Sequence, residues 1–215
     1  QAVVFDMDGV IFDTERLVIE FWKEVAKKHN IPNIEHTCIQ CLGTNRVRTR
    51  EIFLENYGAD FPFDPYRAEV TELFNTHYKG VPLPTKPGIR ELLSYLQEQD
   101  IKVGLASSTA QHLVRDEIGT AGLLPYFQTL VCGDMVEHSK PAPDIFLKAC
   151  EILNADPTKS IAIEDSFNGI RSAHCAGMTP IMVPDQVQPT DEIRTLAFHV
   201  MPSLLDVLNW LKTLA

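Results

Sequence analysis

Two aspartates one residue apart, Asp6 and Asp8, stand with Gly9 where the apolar run Ala2 to Phe5 stops. A second acidic pair, Glu164 and Asp165, stands where the run Ser160 to Ile163 stops. Between them, Ser107, Ser108 and Thr109 follow a run ending at Ala106, and Ser139-Lys140-Pro141 lies in a later loop. If these runs are parallel strands, all of these polar groups emerge at one edge of one sheet. Asp6, Asp8, Glu164 and Asp165 then converge, and carboxylates a few ångströms apart repel strongly in a partly desolvated site. Either several hold protons or a cation sits among them. A hard divalent cation with oxygen ligands fits best, and Mg²⁺ commonly keeps waters and bridges to a phosphate. No His or Cys accompanies the carboxylates, which argues against zinc. Lys140 adds a fixed positive charge, and the Ser107 hydroxyl and nearby backbone N–H groups add donors. Such a set would cradle a dianionic phosphoryl group, and phosphoryl transfer needs mainly in-line positioning and neutralised oxygens.

Each piece alone is weak. Asp-Gly is a common turn pair, a single lysine is most often a surface lysine, and Ser107 also reads as a helix N-cap. Ser166 is the more natural cap of the helix after Glu164 and Asp165. The pieces gain meaning from the elements that carry them. Five short apolar runs stand out: 2–5, 101–106, 129–132, 160–163 and 179–183. Helical periodicity follows most of them, as at Ile89, Leu92, Leu93 and Leu96, or Leu204, Leu205, Val207, Leu208 and Leu211. Strands alternating with helices predict an α/β fold, a Rossmann-like parallel sheet with helices on both faces. Nearly a hundred residues separate the first two runs, where a simple crossover needs about a dozen. They contain helical patterns near 15–29, 45–57 and 65–78, then the linker Gly80-Val81-Pro82-Leu83-Pro84. The expected organisation is a catalytic core of residues 1–13 and 83–215, with a helical cap of residues 14–82 above the carboxyl edge of the sheet, where open α/β sheets bind ligands.

The formal net charge is −10, which argues against nucleic acid as a partner. The five cysteines are odd in number and irregularly spaced, as in reduced cytosolic proteins. No run has the length of a membrane span, and no basic stretch followed by an apolar stretch opens the sequence. A cytoplasmic protein is therefore expected. Cys38 and Cys41 have CxxC spacing with His36 nearby, but no second such pair exists. Arg46, Arg48 and Arg50 are equally readable as a phosphate-facing patch or a solvated helix face. Val18, Phe21, Trp22 and Val25 read as packing within the cap, with Trp22 able to face substrate.

Asp6-Met7-Asp8-Gly9-Val10, Ser107, Lys140 and Glu164-Asp165 resemble the four ordered motifs of the haloacid dehalogenase-like superfamily. Phe5-Asp6-Met7-Asp8-Gly9-Val10, Ser139-Lys140-Pro141-Ala142-Pro143-Asp144 and Ile163-Glu164-Asp165-Ser166 resemble more narrowly its β-phosphoglucomutase-like phosphatases. The resemblance spans almost the whole chain. It implies sheet order 3-2-1-4-5 and a Mg²⁺-dependent phosphatase of a small phosphorylated metabolite, such as a sugar phosphate. Asp6 would attack phosphorus and form an aspartyl-phosphate. Asp8 would protonate the leaving alcohol and then activate water. Ser107, Ser108 and Lys140 would hold phosphoryl oxygens. Asp6, the backbone carbonyl of Asp8, and Asp165 would ligate Mg²⁺, with Glu164 ligating directly or through water. Haloacid dehalogenases proper lack the second Asp, since a halide leaves without a proton. The mutases of the group carry a His near Val18 and a Lys near Phe74, both absent here. Their cap Arg is matched by Arg46, which would help to hold substrate. Hydrolysis is thus the expectation, with a phosphosugar mutase as the alternative. Nothing suggests an obligate partner, so a monomer is expected.

Overall fold

The computed structural model describes residues 1–214. The chain runs β1 (Ala2–Phe5), α1 (Thr14–His29), α2 (Ile34–Gln40), α3 (Arg46–Tyr57), α4 (Phe63–Tyr78), α5 (Ile89–Glu98), β2 (Lys102–Ser107) and α6 (Gln111–Thr120). It continues through β3 (Thr129–Cys132), α7 (Asp144–Ile152), β4 (Ile161–Glu164), α8 (Phe167–Cys175), β5 (Thr179–Met182), α9 (Asp191–Leu196), β6 (His199–Val200) and α10 (Leu204–Lys212).

All six strands pair in parallel, in the order β3-β2-β1-β4-β5-β6. The five expected strands keep their expected order, and β6 extends the sheet beyond β5. Its two residues are too few to show a strand pattern. β1 lies at the centre and is buried throughout. Its alternate residues feed different layers, as strand geometry requires. Val3 and Phe5 pack with Leu92, Leu93, Leu96 and Val207, whereas Val4 packs with Phe146, Ala149 and Ala173. Each such large side chain, fully buried, contributes about 1.5–3 kcal/mol. Ser203 caps α10 as expected, its hydroxyl accepting the Asp206 N–H.

The stretch between β1 and α5 forms four helices around a cluster of its own, which includes Trp22, Val25, Phe53, Phe63 and Val70. The Trp22 and Phe53 rings lie 4.5 Å apart at their centroids. Phe21, Trp22 and Val25 are buried there, while Val18 is half-buried. The chain enters and leaves this insertion through adjoining segments. The Asp13 N–H donates to the Pro84 carbonyl at 2.9 Å, and the Lys86 N–H to the Ile11 carbonyl at 2.8 Å. Phe12 and Thr85 form an antiparallel bridge between them.

The far end of the insertion rests on the core. Asn45, which caps α3, donates its side-chain N–H to Ser139 Oγ at 2.9 Å. Gly43 sits at φ +69, and a Cβ there would collide with the Ser166 side chain.

Candidate active site

The turn after β1 is fixed by its backbone. The Ile11 N–H donates to the Met7 carbonyl at 2.8 Å, and the Gly9 N–H to the Phe12 carbonyl at 2.9 Å. Gly9 sits at φ +78, and a Cβ on it would overlap the Asp165 carboxylate. Only glycine satisfies both the conformation and the close approach. The turn thereby brings the ends of β1 and β4 together.

At the end of β4, Glu164 Oε2 accepts the Asp165 N–H at 3.2 Å, the Ser166 N–H at 3.3 Å and the Ser166 hydroxyl at 3.0 Å. Ser166 caps α8, as expected, by accepting the Gly169 N–H at 3.0 Å. One oxygen each from Asp6, Glu164 and Asp165 lie within 4.8 Å of one another, and all three residues are buried. The Asp8 side chain stands apart from that cluster. Its Oδ1 accepts the Thr14 hydroxyl at 2.5 Å and its Oδ2 the Thr109 hydroxyl at 3.1 Å.

Lys140 is 5% exposed. Its ammonium donates to Asp6 Oδ1 at 2.5 Å, to Glu164 Oε1 at 2.6 Å and to the Ala106 carbonyl at 3.0 Å. An ammonium has three protons, and all three are taken. Lys140 thus lies beneath the site and braces it, rather than standing in its opening. Burial works to lower its pKa, but Asp6 and Glu164 outweigh that and raise it. Burial raises Asp6 well above the usual carboxylate range. Lys140 opposes this, while Glu164 and Asp8 add to it. Asp165 is likewise raised well up, by burial and then by Glu164 and Asp6. Three buried carboxylates facing one ammonium leave an excess of negative charge that a divalent cation would offset, and their all-oxygen donor set suits Mg²⁺.

Above these groups opens a cavity of about 650 Å³ between the sheet edge and the insertion. Asp6, Asp8, Asp165, Ser108 and Thr109 line its core side, and Val18, Trp22, Phe53 and Phe63 its apolar wall. Ser107 does not line it. Ser107 is fully buried, and its hydroxyl accepts the Thr109 N–H at 3.1 Å. It does not cap α6 either. That helix begins at Gln111, whose N–H donates to the Asp134 carboxylate at 3.1 Å. The β2 strand runs on through Ser107 and leaves no room for a cap there.

Of the three expected arginines, Arg46 lines the cavity and pairs with Asp64 at 3.0 Å. Arg48 pairs with Glu51 and Glu55 on the solvent face. Cys38 and Cys41 also line the cavity. Burial pushes the Cys41 thiol up to about 12 and raises Cys38 too, so neither is a ready thiolate at neutral pH. Neither belongs to a metal-holding cluster among the described residues.

Sequence reasoning missed Thr14, Glu15 and Arg67, and it brought Thr109 to the sheet edge without a role. Thr14 was readable only as the start of a helix, and Thr109 as the end of a hydroxyl run. Glu15 lines the cavity beside Asp8. Burial, then Asp8 and Asp6, raise it well above its ordinary value. Arg67 lines the cavity from α4, and only the rotational register of that helix places it there.

The family model of the haloacid dehalogenase-like hydrolases matches residues 3–183, which include every site residue named above. The chain belongs to the haloacid dehalogenase-like hydrolases. Within this family of enzymes it is a β-phosphoglucomutase-like member. It is 33% identical to the phosphorylated carbohydrates phosphatase of Thermotoga maritima, over 84% of this chain and 83% of that protein. It is 35% identical to the β-phosphoglucomutase of Bacillus subtilis, over 88% and 85% of the two chains. The crystal structure of β-phosphoglucomutase from Clostridium difficile shares the fold of this hydrolase, with a TM-score of 0.80 at 24% identity over 99% and 95% of the two chains. No helix among the described residues is long and apolar enough to cross a membrane.

Proposed function

We propose that this hydrolase is a Mg²⁺-dependent phosphatase of small phosphorylated metabolites, sugar phosphates foremost, working through an aspartyl-phosphate on Asp6. The observation that carries this reading is the state of the two aspartates. Asp6 is braced through Oδ1 by Lys140, and Asp8 is aimed by two hydroxyls, both on the floor of one cavity.

Asp6 Oδ2 accepts no hydrogen bond from a described residue, so it is the oxygen able to attack phosphorus. As the Oδ2–P bond forms, the bond from phosphorus to the leaving alcohol breaks. Asp8, protonated, gives its proton to that alcohol oxygen. In the second half Asp8 takes a proton from water, the resulting hydroxide oxygen bonds to phosphorus, and the Asp6–phosphorus bond breaks. Phosphate leaves, and Asp6 and Asp8 return to their starting states. The Thr14 and Thr109 hydroxyls keep the Asp8 carboxyl turned toward the leaving oxygen in both halves. Lys140 holds Asp6 in its attacking orientation and favours its ionised form. Ser108 lies where phosphoryl oxygens would rest. Asp6, the Asp8 carbonyl, Asp165 and Glu164 would hold Mg²⁺, which supplies positive charge for the phosphoryl oxygens. The helical insertion acts as a cap that keeps bulk water out while the alcohol leaves.

The named phosphatase of phosphorylated carbohydrates among the relatives supports the substrate class. The β-phosphoglucomutase relative favours a second reading, a phosphosugar mutase. Against it, the position expected to carry a mutase His is Val18, an apolar residue of the cavity wall. Phe74 packs edge-on against Phe21 instead of offering an ammonium. Action in the cytoplasm as a monomer completes the reading, and light scattering in solution tests the monomer.

The deciding experiment is phosphate release from a panel of phosphorylated metabolites with Mg²⁺, with EDTA, and in Asp6→Asn. Metal-dependent release that vanishes in Asp6→Asn is the expected result. No release from any substrate would sink the reading. Conversion of β-glucose 1-phosphate to glucose 6-phosphate with little free phosphate would make the protein a mutase.

A further inference from the structure

The side chain of Asn45 is used at both ends. Its Oδ1 accepts the Arg48 N–H at 2.9 Å and so caps α3, while its Nδ2 donates to Ser139 Oγ at 2.9 Å. The first contact stays within the insertion, and the second crosses from the insertion to the core. Ser, Thr or Asp would cap a helix about as well as Asn, so the cap alone does not call for an amide. Reach and a donor at the far end do. The Ser139 hydroxyl in turn has no partner in the core. Among the described residues its one hydrogen bond is the one to Asn45.

Where this bond lands matters. Ser139 is the residue before Lys140, whose ammonium holds Asp6. Two residues before Asn45, Gly43 lies so close to Ser166 that a Cβ would overlap its hydroxyl. That hydroxyl donates to Glu164 Oε2, and Glu164 Oε1 accepts from Lys140. The loop from Gly43 to Asn45 therefore bears on Lys140 by two routes, through its chain neighbour and through its second carboxylate. Asn45 itself lines the cavity, whereas Ser139 does not.

We infer that Asn45 is a positioning residue: its bond to Ser139 fastens the seated insertion to the loop that carries Lys140, so that Asp6 is held most firmly when the cavity is covered. The inference deepens the phosphatase reading and rests on it for its assay. The contact joins two protein groups and does not involve the substrate. Its loss should therefore weaken catalysis by the same factor whatever alcohol leaves. One neutral hydrogen bond of this kind corresponds to a factor of about five. A residue that touched the substrate would instead show a loss that varies with the leaving group.

Two single variants and their combination test it. Asn45→Ser keeps a good helix cap but ends one bond short of the amide nitrogen, and Ser139→Ala removes the acceptor without touching α3. Each is expected to lower kcat/KM about fivefold, equally for glucose 1-phosphate, glycerol 3-phosphate and p-nitrophenyl phosphate, with a melting temperature within a few degrees of wild type. The double variant should stay within about twofold of either single, since both remove the same bond. Asn45→Asp keeps the length and the cap, and the Ser139 hydroxyl can turn to donate to it. It should lose less than Asn45→Ser, and this advantage should vanish in Ser139→Ala. Losses that multiply in the double variant, that differ among the substrates, or that are absent from Ser139→Ala would overturn the inference. Small-angle X-ray scattering with saturating Mg²⁺ and inorganic phosphate reads the seating of the insertion without turnover. Both single variants should be more extended than wild type, and identical curves for all three would overturn the inference. Absence of phosphate release in wild type would defeat the phosphatase reading alone, and the scattering arm would still decide the role of Asn45.

Discussion

Among the described residues, Lys140 is the one buried cation beside the three buried carboxylates of the site, and it touches two of them, Asp6 and Glu164. Lys140→Met would leave Asp6 and Glu164 buried without their partner, a change that costs about 3–5 kcal/mol in comparable sites. It would also remove the influence that lowers the Asp6 pKa. Asp6 must be ionised to attack, so the acid limb of kcat/KM is expected to move to higher pH. Denaturant unfolding and a pH–rate profile of the folded fraction check the two effects separately. Asp8 depends on weaker support. Thr109→Val removes one of its two hydroxyl contacts, and a fall in kcat of about tenfold with little change in KM is expected. Glu117 offers a test away from the floor. Its carboxylate has one buried oxygen without a partner, and burial, then Asp8 and Asp116, raise its pKa to about 8. A raised carboxyl favours folding below its unfolded value of 4.5 and loses that contribution as pH rises toward 8. Glu117→Gln should therefore raise the melting temperature at pH above about 8, by an amount worth about 1 kcal/mol, and leave it nearly unchanged below about pH 4.5. A uniform change at both would refute the assignment.

At the scale of elements, the loop from Gly43 to Asn45 is where the insertion meets the core. Gly43→Ala would strain a φ of +69 and drive a methyl into Ser166. Docking of the insertion should suffer more than folding of either part. A rise in KM or a fall in kcat of about tenfold, with a melting temperature shifted by only a few degrees, is the expected pattern. The elements also explain what the sequence reveals. Asp6, Asp8, Glu164 and Asp165 were legible because an apolar run stops beside each of them, and parallel strands must deliver such stops to one edge. The order of the five main strands was legible only through the resemblance of the ordered motifs, because an apolar stop says at which edge a strand ends and not which strand lies beside it. Short pieces were not. α2 has seven residues and α9 has six, fewer than are needed to display a helical period twice. Whether Lys140 faces into the opening or braces it from below depends on side-chain packing around Ala106 and Glu164. A one-dimensional pattern does not carry that. Arg67 was illegible because only the rotational register of α4 turns it toward the cavity.

For the molecule as a whole, binding of Mg²⁺ to the folded floor would couple to global stability by mass action. Saturation at about a hundred times the dissociation constant corresponds to about 2.7 kcal/mol. The melting temperature is expected to rise with Mg²⁺, to fall back with EDTA, and to lose this response in Asp165→Asn. A response that survives in that variant would place the ion elsewhere. The larger design follows from the paired segments at Phe12 and Thr85. Seen from the sheet, everything between Asp13 and Pro84 hangs from two neighbouring anchor points, like a long hairpin tip. The entropy of closing such a tip grows by only about 0.6 kcal/mol for each doubling of its length. A lineage could therefore lengthen, trim or replace the tip while the strands beneath it stay in register. In such an arrangement the choice of molecule and the chemistry performed on it can be inherited separately.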